Sequence, residues 1–183
     1  MSHCDTGLLT FAIAAITGSV ALIGVYLTNN ANTERLNNEL DYTSKENKRK
    51  LEISRAEELY ELTDIWLKGL FSDYLNLTLV MQEKISFDQY HENITEYIKE
   101  SKSNYTRLQM IQDIYFPKLK SSFEKITDLR SEMNDISSDF KKAYKKGDTD
   151  GKKYLNKFTD ASSQIDALGE KFKVEIANCA RNA

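Results

Sequence analysis

Residues 140–158 read Phe140-Lys141-Lys142-Ala143-Tyr144-Lys145-Lys146-Gly147-Asp148-Thr149-Asp150-Gly151-Lys152-Lys153-Tyr154-Leu155-Asn156-Lys157-Phe158. The run Gly147–Gly151 is a turn between two apolar seams. Before it, Leu119, Ile126, Met133 and Phe140 repeat every seventh residue, and Ser122, Leu129, Ile136 and Ala143 occupy the second heptad position. After it, Phe158, Ile165 and Phe172 alternate with Tyr154, Ala161 and Leu168. Gly147 suits a left-handed helix end, and Asp150 is placed to cap the next helix. Segments 119–143 and 154–176 are therefore expected to form an antiparallel helical hairpin with coiled-coil-like packing.

Outward from the hairpin, the rest of the chain also reads as helix. It has 183 residues with seven glycines and one proline, so breakers are few. Charged residues make up 29% and alternate in sign, leaving a net charge of -3. That balance belongs to long helices with solvated faces, and it excludes the basic excess of a nucleic-acid binder. The expected fold class is all-α.

Residues 8–28 carry no charge and no proline. At about 1.5 Å per residue this run spans roughly 30 Å, the thickness of a bilayer's hydrocarbon core. Residues 1–7 lack Lys and Arg, the run is long for a signal peptide, and no good cleavage site follows. An uncleaved transmembrane helix is expected. Basic residues (Arg35, Lys45, Lys48, Arg49, Lys50) lie only on its C-terminal side, which places the N-terminus outside and the remainder in the cytoplasm of an inner membrane. Cys4 and Cys179 then lie on opposite sides and cannot pair within one chain. The expected organisation is a tail over 1–7, the span over 8–28, a polar helical stalk or linker over 29–50, the stalk preferred, and a cytoplasmic helical bundle over 51–183.

In the stalk, Leu36 and Leu40 are the only aliphatic pair, and a helix polar all round gains little from packing. From Leu51 an apolar seam begins: Ile53, Ala56, Leu59, Leu62, Trp66, Leu70, Leu77 and Met81, thickened by Phe71, Tyr74, Leu75, Leu79 and Val80. Lys68, Asp73 and Glu83 interrupt it, so it reads as a core helix and not as a second span. Ser86 with Gln89 forms a capping-box pattern. Phe87, Tyr90, Ile94, Tyr97, Leu108, Ile111 and Tyr115 make the next seam. It continues across Pro117 to Leu119, which favours one long kinked helix over 87–146 and a three-helix bundle. The alternative is a corner at Pro117 and a four-helix bundle.

Catalytic chemistry has no foothold. His91 lies one turn from Asp88, but a di-metal bundle site needs a second such pair, and the only other histidine, His3, is in the tail. Glu57, Glu61 and Asp64 share a face that reads as solvated surface. Asp148-Thr149-Asp150-Gly151 lacks the closing Glu of a calcium loop. Three glycosylation-type triplets, at Asn76, Asn93 and Asn104, sit inside helical patterns and read as chance. No cofactor, metal or small-molecule substrate is expected, and the chain is read as a non-enzyme.

Two features point to binding. Lys141, Lys142, Lys145, Lys146, Lys152, Lys153 and Lys157 surround the hairpin turn, opposed locally by Asp148 and Asp150. Such a tip is suited to anionic headgroups, though only if 87–146 is one helix that returns the tip to the membrane, or to nucleic acid; the plain alternative is a solvated tip. In the span, Ala14, Gly18 and Ala21 form a small-residue face of the kind that lets helices approach closely. Together with the Leu- and aromatic-rich seams it favours self-association.

The order of an apolar span, an Asn-rich polar segment and Lys48-Arg49-Lys50-Leu51-Glu52-Ile53-Ser54-Arg55-Ala56-Glu57-Glu58-Leu59-Tyr60 opening a long helix resembles small single-pass bacterial and phage membrane proteins with an all-helical cytoplasmic part. Some proteins of that layout serve in phage defence or exclusion, and the resemblance carries no functional residue across. Two functions fit: a membrane-tethered interaction or scaffold module that binds another protein or itself, and a membrane-perturbing effector held in check by its bundle.

Overall fold

The structure, a computed structural model, describes residues 3–183, with the side chains of 3–16 and 96–103 left out of the description. It is all-helical, with no strand among the described residues. Helix α1 runs His3–Met81, α2 Phe87–Tyr115, α3 Lys120–Tyr144 and α4 Lys152–Arg181, and a 3-10 turn, Pro117–Leu119, precedes α3. The chain divides into two compact units, Met1–Arg49 and Lys50–Ala183.

The first unit belongs to α1. Every described side chain from Thr17 to Arg49 is exposed apart from Glu46. The hydroxyls of Thr28, Thr33 and Thr43 donate back to the carbonyls of Gly24, Asn29 and Glu39, each at 2.8 Å. Such bonds satisfy the side chain and add no tertiary packing. Among the described residues no helix is long and apolar enough to cross a membrane. The side chains of residues 8–16, nearly half of the apolar run, lie outside that description, as do those of Ala14 and Cys4.

The second unit is an antiparallel bundle of four helices, the first supplied by residues 50–81 of α1. Its order follows from pairs that cross between helices. Tyr90 Oη donates to Asp73 at 2.6 Å and Arg107 Nε to Glu58 at 2.7 Å, so α2 runs back along α1. Phe87 meets Phe140 and Tyr105 meets Phe123, ring centroids 5.7 and 6.0 Å apart, so α3 runs back along α2. Phe140 meets Tyr154 and Phe123 meets Phe172, at 5.5 and 5.6 Å, which closes the α3–α4 hairpin. Tyr74 against Phe158 at 5.6 Å and Lys173 against Asp64 at 3.1 Å set α4 antiparallel to α1. This is the up-down-up-down topology that short connections favour.

The chain breaks at Pro117, which corrects the preference for one kinked helix over 87–146 and with it the three-helix arrangement. The residue before a proline is pushed out of the helical region, and Phe116 has φ -130, ψ 54. Proline itself opens the 3-10 turn, where its missing N–H costs nothing. Phe116 and Leu119 are both buried, so the corner is held by core packing. The apolar residues flanking Pro117 that suggested continuity are the ones that pin the reversal.

The expected caps form. Ser86 accepts from the Gln89 amide and Gln89 Oε1 accepts from the Ser86 amide, a complete capping box. Gly147 has φ +90, the left-handed helix end. Asp150 Oδ1 accepts from the Lys152 amide at 3.0 Å, one residue ahead of the formal cap, Gly151.

The core seams broadly match those expected, with informative departures. In α3, Phe123 is buried and Ser122 is only partly so, because a large apolar side chain beside a heptad position takes the interior site. In α1, Leu67 and Thr63 are buried, whereas Leu75 is 62% exposed. Thr63 tolerates burial because its hydroxyl donates to the Leu59 carbonyl at 2.7 Å. Two glycines mark close approaches that a seam of large residues cannot reveal. A Cβ on Gly169 would stand 2.6 Å from Leu67 Cδ1, and one on Gly151 would stand 2.4 Å from Met81 Cα.

Candidate functional site

The lysine tip is built by the end of α3, the turn 145–151 and the start of α4, and it packs on the turn that ends α1. The Gly151 amide donates to the Met81 carbonyl at 3.2 Å, and Thr149 Oγ1 donates to Glu83 at 2.7 Å. Glu83 itself has φ 58, an uncommon conformation for a residue with a Cβ. Beneath the tip an aromatic cluster stiffens the platform, with Phe87 edge-on to Tyr144 at 4.6 Å and Tyr154 against Phe140. The tip thus sits beside Met81, roughly 45 Å along the helix from Lys50 at 1.5 Å per residue. It lies at the end of the bundle opposite Lys50. The condition set for a lipid contact of the tip, a single helix over 87–146, is not met.

The seven lysines are not equivalent. Lys142 pairs with Asp139 at 3.0 Å and Lys153 with Asp148 at 2.8 Å. The hydrogen bond from Lys153 to Asp148 raises its pKa, so this cation stays charged. Lys141 stands over the Tyr90 ring, 5.4 Å from its centroid. Lys145, Lys146, Lys152 and Lys157 are exposed and have no ion pair among the described residues. A shallow groove on α3 joins Asn134, Ser137 and Ser138 to Lys141, Lys142 and Lys145. The arrangement places cations and hydroxyl donors side by side at the surface.

The small-residue face behaves differently. A Cβ on Gly18 or Gly24 would meet nothing within 4 Å. Ala21 is exposed, as are Leu22 and Val25. Each of these positions is exposed.

Of the carboxylate stripe on α1, Glu57 and Glu61 are exposed as expected, whereas Asp64 is engaged. Asp64 holds Lys68 at 2.6 Å and Lys173 of α4 at 3.1 Å, and these bonds lower its pKa. Lys173 is nearly buried and its pKa is raised, first by its bond to Glu170 and then by Asp64. Glu58, one residue from the stripe, bridges Arg55 and Arg107; the bond to Arg107 is the main cause of its lowered pKa. These pairs clasp α1 to α2 and α4. Nothing before the structure linked positions so distant in sequence.

Among the described residues no three His, Cys, Asp or Glu side chains converge as metal ligands. The His91 ring packs against Phe87 and Tyr90. Asn93 donates its amide to Asn76 at 2.8 Å, so two of the three glycosylation-type asparagines join α2 to α1. Cys179 is a free thiol whose pKa is raised by burial, the opposite of an activated nucleophile. Trp66 Nε1, Tyr74 Oη and Gln112 Nε2 are buried without a hydrogen-bond partner among the described residues.

No family model, curated protein or solved structure matches this chain.

Proposed function

We propose that the chain is a membrane-tethered interaction module. Residues 8–28 cross an inner membrane with the N-terminus outside, and the cytoplasmic bundle binds another protein. The observation that supports this most is the contrast between the closed aromatic interior of the bundle and its outward lysine tip. Trp66, Phe140, Phe158 and Phe172 fill the centre completely. Chemistry of recognition is therefore left to the surface, and the tip is its most strongly charged part. Its cations suit a partner with an acidic docking face, and surface charge of this kind governs encounter and specificity more than affinity. The module has no catalytic step of its own in this reading. It agrees with the resemblance to small single-pass bacterial and phage membrane proteins.

The test has two arms. Alkaline carbonate should leave the full chain in the membrane pellet and release a chain lacking 8–28; release of both overturns the tether. Capture from native membranes should yield a specific partner that is lost when Lys145, Lys146, Lys152 and Lys157 are changed to Glu. Partner binding unaffected by that reversal overturns the role of the tip.

The open surface at Gly18 favours a second reading, the membrane-perturbing effector. In it, full-length protein depolarises the membrane on induction, and Gly18→Leu abolishes the effect. Normal membrane potential in cells that hold the partner complex supports the tethered module.

A further inference from the structure

The first unit is a helix whose exposed side chains are arranged with an order that solvent alone does not require. Four pairs of uncharged residues stand eighteen positions apart, two of them identical (Leu22 and Leu40, Asn29 and Asn47) and two not (Gly18 and Leu36, Val25 and Thr43). Eighteen residues make about five whole turns of an α-helix, so all eight residues fall on one side of α1. Leu22, Val25, Leu36 and Leu40 are each more than half exposed. The charged residues from Glu34 to Arg49 (Glu34, Arg35, Glu39, Asp41, Lys45, Glu46, Lys48 and Arg49) all lie off this stripe. Gly18 of the apolar run and the Leu36–Leu40 pair of the polar segment, separate features by composition, thus share one line along the helix.

We infer that a second copy of this chain packs along the stripe, parallel to the first, through residues 18–47. The clause that residues 8–28 lie in a bilayer rests on the reading above; the pairing itself rests on the stripe. Three features select this occupant. The stripe is uncharged along its whole length, so two copies meet with no buried charge. Glycine at one end allows close helix approach, and the aliphatic pair at the other supplies the apolar contact. The flanks then choose the direction. Glu39 and Glu46 border the stripe on one side; Thr33, Asn37 and Ser44 border it on the other. A parallel pair sets the glutamates of one copy against the hydroxyls and amides of its partner. An antiparallel pair over the same span sets Glu39 and Glu46 of one copy beside the uncharged residues 18–28 of the other, where nothing offsets their charge. A repeat of 3.6 residues per turn implies two nearly straight helices, without the left-handed supercoil of a strict heptad.

The experiment uses the full chain in native membranes, with Cys4→Ser and Cys179→Ser as background. Single cysteines replace stripe residues Asn29, Leu36 and Thr43, or the off-stripe residues Asn38 and Lys45. Mild oxidation is followed by a non-reducing gel. The stripe cysteines should form dimers at least tenfold more than the off-stripe ones, at all three levels. Cross-linking of a residue to its own copy at levels two turns apart arises from a parallel pair; an antiparallel pair gives it at one level only. Equal cross-linking at all five positions, a maximum at Asn38 or Lys45, or no dimer anywhere overturns the inference. Carbonate extraction of the same membranes reads the tether separately. Released protein that still cross-links along the stripe overturns the tether and keeps the pair.

Discussion

From Thr17 to Arg49, α1 exposes every described side chain but Glu46; from Ala56 to Met81 the same helix buries a residue in nearly every turn. Both stretches are helical, and the reasons differ. The second is amphipathic, and it gains its stability from tertiary packing against α2 and α4. The first has local hydroxyl bonds and the exposed Asp41–Lys45 pair at 3.6 Å, neither of which contributes much. A continuous helical backbone is thus compatible with two sources of order. The bundle supplies its own; on the proposals above, residues 17–49 would draw theirs from a bilayer and a second copy.

The largest difference between the two regions should appear on core truncation. Trp66 is fully buried against Tyr105 and Phe123. Trp66→Ala is expected to cost about 3–5 kcal/mol in urea unfolding followed by circular dichroism. Leu36→Ala, in detergent at monomeric dilution, should leave the same transition within about 0.5 kcal/mol. Equal losses from both would break the division.

Glycines give the next contrast. Gly151→Ala drives a methyl into the Met81 backbone, 2.4 Å from its Cα, and should destabilise the bundle by about 1–3 kcal/mol. Gly24→Ala meets open space and removes a flexible residue from a helix interior, so helicity should rise by an amount worth up to ~1 kcal/mol. A stabilising Gly151→Ala would show that the α1–α4 junction is looser than described.

Helix ends come third. Ser86→Ala removes one half of the capping box and should lower the urea midpoint by an equivalent of about 1 kcal/mol. Thr33→Ala, whose hydroxyl only back-bonds to Asn29, should have no measurable effect on the bundle.

The smallest effect is electrostatic. Glu58 and Asp64 have folded-state pKa values below their ordinary 4.5 and 3.8. The folded state therefore favours their charged forms, and this contribution is present in full above pH about 5. It is lost as pH falls through the lowered values, when both carboxylates take up protons. Their side chains remain about 30% exposed, which limits each pair to roughly 0.2–1 kcal/mol. Glu58→Gln with Asp64→Asn should flatten the fall in stability between pH 5 and 3. An unchanged slope would mean that other carboxylates dominate.

Much of the bundle was legible because periodicity records burial. The α3–α4 hairpin, the capping box at Ser86 and the left-handed Gly147 all followed from residue type and spacing. Pro117 misled because the seam continues across it, and periodicity cannot distinguish a kink from a corner whose flanking residues are both buried. Gly151, Gly169 and the Asp64–Lys173 pair were invisible for another reason. Their meaning depends on which residue of a distant helix stands opposite. The lysine cluster was evident in sequence, but its place beside Met81 was not. The stripe from Gly18 to Asn47 was present in the sequence throughout. It emerges only when the apolar run and the polar segment are treated as one helix.

The most direct test of the two-source account is hydrogen exchange along α1 in the full chain, held in detergent at monomeric dilution. Amides of residues 56–81 should exchange as slowly as those of α3 and α4, governed by opening of the whole bundle. Amides of residues 29–49 should exchange at least a hundredfold faster. Uniform slow exchange from Asn29 to Met81 in the monomer would contradict the account, because the first stretch would then be stable without bilayer or partner.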